Sequence, residues 1–300
     1  MDSPTFYHTT VLLQEAVDAL DIQPDGVYVD ATFGGGGHSG EILKRLGPKG
    51  KLFAFDHDED AWRNKPEDAR LVPVTESFRY VRRFLRLHGS PQVDGILADL
   101  GVSSWQFDTG ERGFSTRFDG PLDMRMDARM ERTAADVLMK LGETELWKLF
   151  EQWGEVRNAR QLAKHIAANR NAAALKTTEG FKRLIGPVVK GVAPKYYAQV
   201  FQALRIAVNE EMAALQEFMN DAPKCLKEGG RLAVITFHSI EDRIVKVAMK
   251  GGEVEKDVFG RAITAPELKV ITNKPLEPTE EEVKQNPRGR SAKLRIAEKL

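Results

Sequence analysis

Five short β-rich runs, Val27–Asp30, Lys51–Asp56, Arg70–Thr75, Val93–Asp99 and Arg231–Phe237, are separated by stretches long enough for helices. That alternation predicts βαβ units on a parallel sheet, because each parallel crossover needs a dozen or more residues and is usually helical. The spacing breaks once. Residues 100–230, 131 in all, separate the fourth run from the fifth, far more than one crossover requires. Within this gap, Ala134–Arg170 has a helical period and few β-branched residues. The expected architecture is α/β: a sheet domain from residues 1–111 and 196–300, interrupted by a helical insertion at 112–195. Lys269–Asn273 and Lys293–Ala297 have the spacing of a terminal hairpin.

Two helices show an apolar stripe. Thr9 or Thr10 can cap one carrying Leu13, Ala16, Val17 and Leu20. Phe201, Leu204, Val208, Met212, Leu215 and Phe218 are spaced as the stripe of a single second helix. Both read as helices packed on the sheet.

Charge becomes informative once the insertion is drawn. The chain has 44 Lys+Arg and 44 Asp+Glu, a balance that argues against a uniformly basic or acidic protein. Residues 112–195 hold 16 basic and 10 acidic side chains, a net of +6, leaving −6 elsewhere. A basic insertion beside a parallel sheet suggests a module facing a polyanion, although a solvated helix surface gives the same count. The single cysteine, Cys225, cannot form an internal disulfide. No Cys/His cluster has zinc spacing, so no metal is expected. Met1–Gln14 lacks the basic-then-apolar order of a secretory signal. No apolar run approaches the ~20 residues of a membrane span. A cytoplasmic protein with no membrane partner is expected, and a homodimer is left open.

The first strand leads into Ala31-Thr-Phe-Gly34-Gly-Gly-Gly37-His38-Ser39-Gly40. Consecutive glycines at a strand end let the backbone turn sharply and approach a ligand. The helix expected next, Gly40–Leu46, would present free N–H groups there. Ligands of open α/β sheets bind outside the carboxyl ends of the strands. Gly35, Gly37 and Gly40 satisfy G-x-G-x-x-G, which alone is a weak signal. Asp56 ends the second run, 20 residues after Gly36, where a carboxylate can accept from both ribose hydroxyls. Asp30 lies inside the turn. There it would repel a dinucleotide pyrophosphate but tolerate the sulfonium and amino-acid tail of S-adenosylmethionine (SAM), so SAM is preferred over NAD. Phe78 is placed to line an adenine pocket or to fill the core.

A second dense segment follows the fourth run. Asp99 ends it; Gly101, Ser103, Ser104 and Gln106 supply flexibility and polar groups. Arg112-Gly-Phe-Ser115 and Asp119-Gly-Pro-Leu-Asp123-Met-Arg125-Met-Asp127 then mix acids, arginines and apolar side chains without regular period. This stretch reads as a folded active-site loop, the alternative being a joint to the insertion.

Together these segments resemble the RsmH (MraW) family of methyltransferases. The resemblance is carried by His8-Thr-Thr-Val-Leu-Leu13, Asp30–Ser39, Asp94-Gly-Ile-Leu-Ala-Asp-Leu-Gly-Val-Ser-Ser104 and the two loop segments just quoted. It continues through Phe201–Glu210, Gly229–Arg243 and Asn286-Pro-Arg-Gly-Arg-Ser-Ala-Lys-Leu-Arg295, in family order over nearly the whole chain. It implies a Rossmann-like class I SAM-dependent methyltransferase sheet with an inserted helical domain. The implied reaction is N4 methylation of a cytidine in the decoding region of small-subunit ribosomal RNA, with the RNA or the 30S particle as partner. The cofactor residues it implies are Gly36, Gly37, His38, Asp56, Phe78, Asp99 and Gln106. Three places depart from the family pattern and bear on RNA contacts. Lys195–Val200 stands where a His-Pro-Ala-Thr-Arg-like run is usual, Trp153-Gly-Glu-Val156 replaces Tyr-Gly-Glu-Glu, and Thr116 replaces Phe.

The cytosine amine is a poor nucleophile because its lone pair is delocalised into the ring. Holding it in line with the SAM methyl can supply ~7–11 kcal/mol. Asp99 is assigned to contact SAM or the target amine, with Ser103, Ser104 and Asp123 as further catalytic candidates. His238 is either a structural histidine or a base. The base must leave its stack, and Trp105 is a candidate platform for it. Arg117, Arg125, Arg129, Lys182, Arg183, Lys190 and Lys195, with the cluster Arg288, Arg290, Lys293 and Arg295, are candidate phosphate contacts. An NAD-type dehydrogenase and an RNA-binding module without catalysis are the competing readings.

Overall fold

The structure, a computed structural model, describes residues 10–251 and 266–300; His8 and Thr9 lie outside them. The described residues form seven strands: β1 Val27–Asp30, β2 Lys51–Phe55, β3 Leu71–Val74, β4 Val93–Asp99, β5 Leu226–Thr236, β6 Leu268–Val270 and β7 Lys293–Lys299. The helices in chain order are α1 Leu13–Asp18, α2 Gly37–Arg45, α3 Val81–Leu87, α4 Ser104–Asp108, α5 Ala134–Lys140 and α6 Glu143–Gly154. They continue as α7 Ala159–Asn169, α8 Thr178–Ile185, α9 Ala193–Asn209, α10 Glu211–Cys225, α11 Ser239–Met249 and α12 Glu280–Gln285. The chain divides into a sheet unit, up to Gly101 and from Ala213 onward, and a helical unit, Val102–Met212. No helix among the described residues is long and apolar enough to cross a membrane.

The sheet unit is a Rossmann-like α/β layer structure with strand order β3-β2-β1-β4-β5-β7-β6. β1 to β5 run parallel, whereas β7 lies antiparallel between β5 and β6. The terminal hairpin is therefore real. Both sheet faces are covered, as parallel sheets require. Alternate residues of a strand point to opposite faces. Thus Val29, Phe53, Phe55, Ile96 and Ala98 share one apolar layer with Val81 and Leu85 of α3, Leu215 and Phe218 of α10 and Val245 of α11. Tyr28, Leu52, Ala54, Leu97 and Ile235 share the other with Ala16 and Val17 of α1 and Ile42 and Leu43 of α2.

In the helical unit, α5 to α9 enclose a separate core that includes Leu138, Phe150, Leu162, Phe181, Phe201 and Leu204. The irregular stretch after α4 is folded and internally bonded. Phe114, Leu122, Met124 and Met126 are buried. Arg112 Nη2 donates to the carbonyls of Arg125 and Met126. Asn209 on α9 accepts from the Met126 N–H at 2.7 Å and donates to the Met124 carbonyl at 2.8 Å. The unit extends beyond 112–195 on both sides, because α4 and the whole of α9 belong to it. Over Val102–Met212 there are 17 basic and 14 acidic side chains, so the net is +3 rather than +6.

Two helix expectations change. The Phe201–Phe218 stripe is not one helix. Glu210 adopts φ 50 between α9 and α10, and a single left-handed residue ends the intrahelical ladder. The first helix has no threonine cap: Leu12 occupies the N-cap in a left-handed conformation, with no side-chain cap bond.

Candidate active site

The carboxyl ends of β1, β2 and β4 bring three acids to one edge of the sheet unit. β1 ends in Asp30, which is fully buried. Its Oδ2 accepts from Ser39 Oγ at 2.6 Å and its Oδ1 from the Thr32 N–H at 3.1 Å. Burial pushes the Asp30 carboxyl up to about 7, against the lowering effect of those hydrogen bonds; the nearby Asp56 adds to the rise.

The glycine turn follows directly. Gly34 and Gly36 have φ of 50 and 78, left-handed values that glycine adopts without penalty. Gly36 is the N-cap of α2, so the helix begins at Gly37 rather than Gly40. A Cβ at Gly37 would collide with Thr10 Oγ1. Asp56 follows β2 and braces the turn: its Oδ2 accepts from the Gly34 N–H at 2.8 Å and its Oδ1 from the Asp58 N–H at 2.9 Å. Burial raises its carboxyl too, opposed by these two bonds. Trp62 donates to the Asp56 carbonyl at 3.2 Å and stacks on Phe33 at 4.7 Å.

Asp99 ends β4. Its N–H donates to Thr32 Oγ1 at 2.7 Å, and its Oδ2 lies 3.7 Å from Nδ1 of the buried His38. Its Oδ1 is buried with no hydrogen-bond partner among the described residues. Burial raises this carboxyl well above its usual range, and the charges of Asp30 and Glu241 add to the effect. None of Asp30, Asp56 and Asp99 has a Lys or Arg partner among the described residues. This edge is rich in desolvated acid and poor in compensating cation.

The remaining candidates separate. Phe78 sits in a 3₁₀ turn after β3 and packs edge-on against Phe218 at 5.3 Å. His238 is the N-cap of α11 and forms a capping box with the buried Glu241, which also accepts from the Phe237 N–H at 2.9 Å. That is a structural role. Ser103, Ser104, Gln106 and Asp123 belong to the helical unit. Ser103 and Gln106 form the capping box of α4, with Ser104 its first residue. Both Asp123 oxygens are engaged by the Arg125 guanidinium, at 2.8 and 2.7 Å.

Several candidate phosphate contacts are already occupied. Arg295 is bound to Asp242 with its side chain 8% exposed, which removes it from the expected cluster. Arg129 holds Asp127, and Lys182 holds Glu179 and the Thr116 carbonyl. Arg183, Lys190, Lys195 and Arg290 are exposed, as is Trp105.

Sequence reasoning passed over Thr32 and Glu241. Glu241 carried only half a signal: Glu at the third helical position is typical of a helix start, but His238 stands where Ser, Thr, Asp or Asn would mark the cap. Thr32 carried none: its partner is 67 residues away.

The sequence matches the MraW methylase family over residues 5–300. It is 51% identical over 299 residues to ribosomal RNA small subunit methyltransferase H of Christiangramia forsetii, covering 98% of each chain. It is 52% identical over 303 residues to the protein of the same name from Bacteroides fragilis, covering 99% of each. Among solved structures, an rRNA methylase from Streptococcus thermophilus aligns with 98% of this chain and 99% of its own, at 13% identity and a TM-score of 0.40.

Proposed function

The chain belongs to the MraW methylase family, and from that premise we propose that it methylates small-subunit ribosomal RNA at the N4 amine of a decoding-region cytidine. It is a SAM-dependent methyltransferase. The observation that carries the cofactor reading is the acid-rich strand edge beside a glycine turn. A ligand with a sulfonium and an α-ammonium group supplies the positive charge that Asp30, Asp56 and Asp99 lack. A pyrophosphate would meet repulsion from Asp30. The residues present therefore fit SAM.

In this reading the turn at Gly36, Gly37 and His38 leaves room for the ligand backbone. Asp56 accepts from the ribose hydroxyls, and Phe78 borders the adenine. SAM, when bound, supplies an electrophilic methyl group on sulfur. Asp99 accepts from the target amine through the oxygen that has no internal partner and turns the nitrogen lone pair toward that methyl. Bound SAM would supply that methyl as its carbon–sulfur bond gives way to the new nitrogen–carbon bond, and the amine proton would pass to water. Within the helical unit, Ser104 and Asp123 are proposed to act on the substrate and Gln106 on the cofactor, with Ser103 holding Gln106 in place. Exposed Arg183, Lys190 and Lys195 would meet RNA phosphates, consistent with a cytoplasmic protein acting on a ribosomal particle.

The deciding experiment is transfer of labelled methyl from SAM to small-subunit particles that lack the modification, followed by mass mapping. Label on the N4 of one decoding-region cytidine supports the reading. Absence of label, or label on another nucleotide, overturns it.

A further inference from the structure

The first described residues and the last segment of the chain meet beside the glycine turn. Glu282 on α12 accepts the N–H of Leu12 at 2.6 Å, a bond that spans 270 residues. Just after α12 the chain makes a 3₁₀ turn, Pro287–Ser291. Gly289 in that turn is buried, and a Cβ there would lie 3.1 Å from a Val11 methyl. Val11, Leu12 and Ala292 share one apolar layer.

Leu12 has φ 51. A branched side chain rarely adopts this conformation, which persists only where the surroundings over-determine it. The carboxylate of Glu282 takes the N–H that this conformation presents. Two residues earlier, Thr10 stands so close to Gly37 that no side chain fits between them. A continuous line of contacts thus runs from α12 through Leu12 and Thr10 to the turn that opens α2. The segments Thr10-Val-Leu-Leu13 and Asn286-Pro-Arg-Gly-Arg-Ser291, far apart in the sequence, are two halves of one clasp.

We propose that Glu282 is a positioning residue for the cofactor site: by holding Leu12 left-handed it seats Thr10 against Gly37 and fixes the glycine turn. The inference rests on the reading of that turn as the SAM site.

The test compares full-length Glu282→Ala, Glu282→Gln and the surface control Glu280→Ala. Amide exchange at Leu12 and Gly37 is measured without cofactor, and SAM binding by calorimetry. Losing a charge-assisted hydrogen bond should weaken SAM binding about tenfold in Glu282→Ala and speed both amides, while kcat at saturating SAM stays near wild type. Glu282→Gln keeps an accepting oxygen without the charge and should fall between wild type and Glu282→Ala, and Glu280→Ala should behave as wild type. Wild-type exchange and affinity in Glu282→Ala overturn the proposal; so does equal damage in Glu282→Gln. Should Glu282→Ala not fold, Glu282→Asp, one methylene shorter, gives the same two readouts, and wild-type values there overturn it. Wild-type protein that binds no SAM overturns the cofactor reading alone, while amide exchange still decides the clasp.

Discussion

The backbone N–H of Asp99 donates to the side-chain oxygen of Thr32 at 2.7 Å. The bond ties the end of β4 to the loop leaving β1, its parallel neighbour, and so sets where the Asp99 carboxyl emerges. Thr32→Val keeps the shape and removes the acceptor. It should cost about 1 kcal/mol in chemical unfolding and lower turnover, while Thr32→Ser should restore both. Unchanged turnover in Thr32→Val would detach this bond from catalysis.

Asp99→Ala tests the carboxyl itself. On the proposed reading, removing this group should lower kcat roughly 10²–10³-fold. Single-turnover rates at saturating SAM are the measurement, with SAM binding checked separately by calorimetry. Near-normal turnover with intact binding would exclude Asp99 from the chemistry.

Asp30 should make SAM binding depend on pH. Its folded-state carboxyl titrates at about 7, above the usual carboxylate range. For stability, the sign is that of a raised acid: its contribution is complete below the unfolded pKa of about 4, is lost as pH rises through 7, and is absent above it. A cationic ligand favours the ionised form. SAM should therefore bind more tightly at pH 8 than at pH 6 and release protons near pH 7. Calorimetry in buffers of different ionisation enthalpy would show the release. Asp30→Asn should reduce it, leaving what Asp56 and Asp99 contribute, and a pH-independent affinity in the wild type would contradict the assignment.

Arg183, Lys190 and Lys195 are exposed side chains of the helical unit. Replacing all three by Gln should weaken RNA binding and lower the salt dependence by roughly 0.7 per lost phosphate contact, about 2 in total. Filter binding across a salt series measures the slope. An unchanged slope would place the RNA on another surface.

Glu155 ends α6 at φ 51. Glycine adopts this conformation without the side-chain penalty, so Glu155→Gly should stabilise the protein by about 1 kcal/mol. Thermal unfolding is the check, with activity unaffected. A lower melting temperature would show that the Glu155 side chain outweighs its backbone strain.

The sheet was legible because short β-rich runs and acid-terminated strand ends are local properties. β1 and β4 have the expected bounds, and β5 differs by starting at Leu226. Its first residues, Lys227-Glu-Gly-Gly230, are polar or small and carry no strand signal. The break at Glu210 was illegible for a related reason. One backbone angle ends the helix while the apolar spacing from Phe201 to Phe218 runs straight through it. Asp30, Asp56 and Asp99 could be found at strand ends, but Thr32 and Glu282 could not, since their partners are supplied by chain closure. Ser103 had a local role that the sequence did not reveal: its hydroxyl accepts from the Gln106 N–H and caps α4.

The pairing of β4 with β5, which sets Leu97 beside Ala233, reaches across the whole helical unit. During synthesis β4 leaves the ribosome with β1 as its only available neighbour. At about 5–20 residues per second, some ten seconds pass before β5 follows. In that interval an apolar strand stands with one side of its backbone unmatched, a state prone to mispairing. The order in which a newborn chain can satisfy its own hydrogen bonds therefore gives the helical unit a temporal role. Unless it folds promptly and by itself, the half-built sheet waits unguarded.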